Sequence, residues 1–142
     1  MSYLEKILFL DFDGVLHSTT SPPHLLFSKA KLLADLLSKN PCKIIISSSW
    51  RFHYEIESIK ERLPKPISNL VHGVTGEPHI GKWPRYNEIK NYMIDQKILA
   101  NWRALDDSFL DFPNYCDELI LCHGKEGIEQ KQLNELSIWL LN

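Results

Sequence analysis

Hydrophobic positions in this chain come in two arrangements. Some form short unbroken runs, such as Ile7-Leu8-Phe9-Leu10 and Ile44-Ile45-Ile46; others recur every three or four residues along longer segments. Unbroken runs of this length read as strands buried on both faces, and the spaced pattern reads as helices packed on them. Strands are therefore predicted over Lys6 to Asp11, Lys43 to Ser47, Asn69 to Val74, Trp102 to Leu105 and Leu119 to Cys122. The first helix starts at Ser28 as N-cap and runs to about Lys39, with Leu32, Leu33, Leu36 and Leu37 on its apolar side. Asn40-Pro41 ends it. A second helix spans Glu55 to Leu63 and is stopped by Pro64 and Pro66. A third runs from Tyr86 to about Gln96, with Ile89, Tyr92 and Met93 inward, and a fourth from Ile128 to Leu141, with Leu133, Leu136 and Leu140 on one face. Ser18 to Pro23 and Gly76 to Pro84 are loops. Alternation of this kind predicts an α/β domain, with a mainly parallel sheet covered by helices on both faces.

The polar residues of interest fall where the apolar runs stop. The first run leads directly into Asp11-Phe12-Asp13-Gly14, the second into Ser47-Ser48-Ser49, and Trp102 to Leu105 into Asp106-Asp107. A carboxylate is costly to bury unless it is paired or binds a cation. The aspartates therefore belong at the carboxyl ends of their strands, where an open α/β sheet binds ligands. Gly14 allows a sharp turn just after them. Both carboxylates of the D-x-D pair then face one small volume, where a divalent cation would relieve their repulsion.

Composition adds limits. With 44% apolar and aromatic residues in 142, the chain affords one core, and residues 1–142 read as a single domain. A net charge of −2 calls for neither a nucleic-acid nor a membrane partner, and does not exclude a local basic patch. No apolar stretch is long enough to span a bilayer, and the N-terminus does not read as a signal peptide, so a cytoplasmic protein is expected. Cys42, Cys116 and Cys122 lack metal-ligand spacing and read as reduced thiols.

The ordered set, DFDGV after one apolar strand, SSS after the next, a basic segment Lys82 to Arg85, then DDSFLD after a later strand, resembles the haloacid dehalogenase-like (HAD) superfamily of phosphotransferases. The resemblance extends from Ile7 to about Leu140. It implies a Rossmann-like three-layer α/β domain with a five-stranded, mainly parallel sheet. It implies Mg²⁺ as cofactor and a phosphatase mechanism in which Asp11 is the nucleophile and Asp13 the general acid–base. Ser47 would donate a hydrogen bond to a phosphate oxygen, with Ser48 as the alternative. Arg85, or else Lys82, would stabilise the transferring phosphoryl. The metal would be held by Asp11, the backbone carbonyl of Asp13 and Asp107, with Asp106 orienting metal-bound water. A shifted register makes Asp106 the ligand instead, and Asp111 is a further candidate helper. The presence of Asp13 favours phosphoryl transfer over carbon–halogen cleavage.

Neither interval that carries a cap domain in this superfamily is domain-sized here, so no cap domain is expected. An uncovered site admits a macromolecular phosphate, and the pattern resembles the capless domains related to polynucleotide phosphatases and RNA-repair proteins. The expected partner is a phosphorylated substrate, either a small molecule or a nucleic-acid end. Trp50, Arg51 and His53 are candidates to line the mouth of the site, where an aromatic ring beside a guanidinium suits an unstacked base. His17 lies just past the nucleophile loop, whereas His24, His72, His79 and His123 read as surface or loop residues. Trp83 is a candidate substrate contact; Trp102 and Trp139 read as core. The alternatives to a phosphatase are a binding or regulatory module of weak activity and a phosphotransferase.

Overall fold

A computed structural model describes residues 4–142. Five parallel strands form one sheet in the order β3-β2-β1-β4-β5: β1 Glu5–Leu10, β2 Lys43–Ile46, β3 Val71–Val74, β4 Ala100–Asp106 and β5 Leu119–Leu121. Five helices connect or follow them: α1 Ala30–Lys39, α2 Ile56–Glu61, α3 Lys65–Ser68, α4 Pro84–Asp95 and α5 Gln130–Leu141. Parallel neighbours require crossovers, and the crossovers supply the outer layers.

Alternate residues of the central strand serve different layers. Leu8 and Leu10 point with Ile44, Ile46 and Leu105 into a core shared with α1, α2, α3 and α5. Ile7 and Phe9 point the other way, with Ile45, Trp102 and Ala104, against Ile89 and Met93 of α4. The three-layer α/β architecture expected from the sequence is present, and every strand pair is parallel. Residues 11–29, between β1 and α1, hold only loop and a short 3-10 turn at Pro23–Leu25, and the link from β2 to β3 holds only a 3-10 turn, α2 and α3.

Local corrections have local causes. Ser28 is not the cap of α1: the helix starts at Ala30 behind Lys29, with no side-chain cap, after Phe27 turns through a φ of 62°. Leu32 of that helix is exposed, while Ala34 joins Leu33 and Leu37 inside. Pro64 and Pro66 do more than end α2. Pro66 falls within the first turn of α3, where proline lacks no needed hydrogen bond. In β3 the partners jump from Val71 to Gly73, so His72 bulges out of register. Helix α5 begins at Gln130 rather than Ile128, closed by a capping box between Glu129 and Gln132. Among the described residues, no helix is long and apolar enough to cross a membrane.

The chain builds β1, β2 and β3 outward in one direction, then returns to place β4 and β5 on the opposite side of β1. The switch point therefore lies between the carboxyl ends of β1 and β4, where such sheets bind their ligands.

Candidate active site

Strand register arranges the polar residues in a row. The ladders continue one residue past the strands: the Asp11 amide donates to the Leu105 carbonyl (3.1 Å), Ser47 to Leu10 (3.0 Å) and Thr75 to Ile46 (2.9 Å). Leu10 pairs with Ile46 and Leu105, and Ile46 with Val74. Thr75, Ser47, Asp11 and Asp106 thus lie side by side on the α4 face of the sheet, because in-register residues of parallel strands share a face. All four are buried.

The hydroxyls of Ser47 and Thr75 are buried with no hydrogen-bond partner. Buried polar groups are normally satisfied, and leaving one open costs about 1–3 kcal/mol. Ser47 lies next to Asp11 with its hydroxyl free to donate or accept. Ser48 points elsewhere: its hydroxyl accepts the Trp50 amide (3.2 Å) and caps the following turn.

At the switch point, Asp11, Asp106 and Asp107 bring carboxylate oxygens within 4.8 Å of one another. Burial, and the charges of Asp106 and Asp107, push the Asp11 carboxyl well above the usual carboxylate range, against the pull of Arg85. Burial raises Asp106 to about 6, again opposed by Arg85, and raises Asp107 as well. The cluster holds more negative charge than its surroundings neutralise, and oxygen-only donors of this kind suit Mg²⁺. Asp106 is already engaged, accepting from Arg85 Nη1 (2.9 Å) and from the Ser108 amide (2.9 Å). Asp107 instead occupies a slot between two glycines: a Cβ at Gly14 would collide with its carboxylate, and one at Gly124 would come within 2.8 Å of it. Asp111 lies on a separate 3-10 turn, Phe109–Asp111.

The cationic residues sort by contact. Arg85, in the first turn of α4, reaches Asp106 and also Asp11 (3.4 Å). Burial alone would lower its pKa, but those two carboxylates raise it, so it stays charged. Lys82 sits instead 4.8 Å from the Trp83 ring centroid. Arg51 is no mouth residue: its side chain is 2% exposed, pairs with Glu88 at 2.7 Å, and donates to the carbonyls of Ser47, Ser48 and Gly76. It is a clamp beneath the ends of β2 and β3. His53 is exposed and Trp83 packs edge-on to Tyr86.

Asp13 projects from the turn that Gly14 allows, at a φ of 80°. Its Oδ1 lies 2.7 Å from His17 Nε2 and its Oδ2 accepts from Trp50 Nε1 at 3.1 Å. The Phe27 amide donates to His17 Nδ1 (3.1 Å), so the imidazole is neutral, carries its proton on Nε2 and donates it to Asp13. His17 is buried, unlike an ordinary loop histidine. The sequence marks His17 by position and Glu88 only as part of the Arg85-x-x-Glu88-Ile89 pattern; Thr75, the pairing of Glu88 with Arg51 and the Trp50 contact to Asp13 carry no signal in it, since each depends on side chains that only the fold brings together.

A sheet switch point carrying an aspartate cluster, an open serine hydroxyl and a buried arginine defines the chain as a HAD-like α/β domain. More narrowly, it belongs to the family described as the HAD domain in Swiss Army Knife RNA repair proteins, whose model matches residues 7–133. This is a HAD-type phosphatase family. No curated protein and no solved structure matches the chain.

Proposed function

We propose that the protein is a Mg²⁺-dependent phosphomonoesterase that works through an aspartyl-phosphate and acts on a nucleic-acid end. The observation that carries this reading is the unpartnered Ser47 hydroxyl lying in register beside Asp11, which in turn faces Asp106, Asp107 and Arg85. An electrophile with several oxygens, seated at Asp11, would meet one donor from each side. The RNA-repair setting of the family and the absence of any cap between the strands favour a macromolecular phosphate.

Asp11, Asp107 and the Asp13 carbonyl would hold the ion, which when bound supplies positive charge for the phosphate oxygens and for the crowded carboxylates. The protein's own residues do the rest. An Asp11 carboxylate oxygen attacks phosphorus as the bond to the leaving oxygen breaks, and Asp13 gives that oxygen its proton. Asp13, now ionised, takes a proton from water as the water oxygen attacks phosphorus. The bond to Asp11 then breaks and inorganic phosphate leaves. Ser47 and Arg85 bind the phosphoryl oxygens throughout.

Phosphate release from 3′- and 5′-phosphorylated oligoribonucleotides and from small phosphomonoesters, with and without EDTA, tests this. Asp11→Asn should lose turnover by at least about 10⁴-fold with an unchanged circular dichroism spectrum. Turnover near wild type in that variant overturns the mechanism. No metal-dependent turnover on any substrate favours a binding module, and phosphate passing to an organic acceptor rather than water favours a phosphotransferase.

A further inference from the structure

We infer that Trp50, Tyr54 and Arg62 form a nucleobase-stacking subsite on the leaving-group side of the crevice, which seats the terminal base of the strand whose phosphate is removed. The inference rests on the phosphatase reading above for the direction of the leaving group, and on contacts around Trp50 for the rest.

Asp13 protonates the leaving oxygen, so the leaving group must lie on the Asp13 side of the phosphate. The wall on that side is the Trp50 indole, whose N–H holds Asp13 Oδ2 at 3.1 Å. The indole is fixed from within by edge contacts to Phe12 and Phe27, at 6.0 and 5.2 Å between ring centroids. Outward it stacks on Tyr54, with centroids 5.0 Å apart and planes 30° from parallel. The Arg62 guanidinium carbon sits 4.4 Å from the Tyr54 centroid and 5.5 Å from that of Trp50.

This stack continues into solvent. Tyr54 is 40% exposed, and neighbouring Phe52 47%. Phe9 and Phe12, by contrast, are fully covered. A partly open ring beside a guanidinium offers a planar base a stacking surface, and offers an adjacent phosphate a counter-charge. The proposed recognition is of the terminal base, through the Trp50–Tyr54 stack and Arg62. Arg51, whose guanidinium is spent on Glu88 and three backbone carbonyls, takes no part.

The test is binding and turnover of two short single-stranded oligoribonucleotides of equal length and charge, each bearing a terminal phosphate. One carries a base on the terminal nucleotide and the other is abasic there. Binding is measured by fluorescence anisotropy in the Asp11→Asn background, so the result does not depend on turnover. The base-bearing strand should bind about tenfold or more tightly than the abasic one, within the range that base–aromatic stacking supplies. Tyr54→Ala should reduce that preference to less than about twofold and Tyr54→Phe should keep it. In the active enzyme, Tyr54→Ala should lower kcat/KM for the base-bearing strand relative to the abasic one, mainly through KM. Trp50→Phe, which keeps a ring but removes the N–H, should lower kcat on both strands. Equal binding of the two strands by the unmodified platform, or a preference that survives Tyr54→Ala, overturns the inference. Base-dependent binding without turnover of either strand supports the platform and sinks the phosphatase reading alone.

Discussion

A methyl group at residue 14 would collide with the Asp107 carboxylate, and the backbone there has a φ of 80°, which disfavours any side chain. Two constraints therefore meet at one glycine: the turn that aims Asp13 and the slot that seats Asp107. Gly14→Ala should cost about 1–2 kcal/mol from the left-handed backbone alone. Its larger effect should be on chemistry. Displacing Asp107 moves a proposed metal ligand, and a shift of about an ångström in a reacting constellation costs on the order of 100-fold. The expected outcome is kcat/KM reduced by about that factor, with weaker Mg²⁺ activation, measured in a metal titration of phosphate release. A variant that needs no more Mg²⁺ than wild type would show that Asp107 is not placed by this contact.

Among the elements, the ends of β2 and β3 are joined to α4 by one ion pair. Arg51 and Glu88 have side chains 2% and 8% exposed, and the arginine also holds the carbonyls of Ser47, Ser48 and Gly76. Removing Arg51 leaves the buried Glu88 carboxylate with the more distant Arg85, at 3.7 Å, and the His79 amide, at 3.1 Å. Arg51→Met should destabilise the fold by about 3–5 kcal/mol in urea denaturation, and the double variant Arg51→Met/Glu88→Met should recover much of it. Additive losses in the double variant would deny the pairing its role. This pair also shows where sequence reading stops. Strand ends were legible because parallel strands buried on both faces read as unbroken apolar runs, so Asp11, Ser47 and Asp106 could be placed at the carboxyl edge. From sequence Arg51 reads as a mouth residue, since a guanidinium after a serine turn looks free until its partner, 37 positions away, is brought beside it. His17 stands out in the sequence only by its place after the nucleophile loop, because the Phe27 amide that holds its Nδ1 and the Phe27 and Trp50 rings packed against it meet only in the fold. Short α3 is hidden in the sequence because Pro66 reads as a stop, although a proline in the first helical turn is permitted.

For the whole molecule, the aspartate cluster links folding, protons and metal. Burial raises Asp106 from its ordinary 3.8 to about 6, and raises Asp11 and Asp107 in the same direction. A carboxyl whose pKa rises on folding takes up protons as the chain folds within that window. Its contribution to stability is full below the unfolded value of 3.8 and is lost as pH rises through about 6. The metal-free protein therefore carries an electrostatic penalty at neutral pH that it lacks at pH 4, on the order of 3 kcal/mol for Asp106 alone. Mg²⁺ bound to the ionised cluster opposes that penalty and competes with protons for the same oxygens. Stabilisation by saturating Mg²⁺ should accordingly be near zero at about pH 4 and reach roughly 10 °C in Tm at about pH 7.5, the size expected from about 100-fold saturation. Thermal melts with Mg²⁺ or EDTA at each pH check this, because groups elsewhere in the protein cancel in the difference. Asp107→Asn should shrink the Mg²⁺ shift and raise the Tm of the metal-free protein at pH 7.5. A shift independent of pH would place the ion away from these carboxylates and separate the stability of the sheet's open edge from its chemistry.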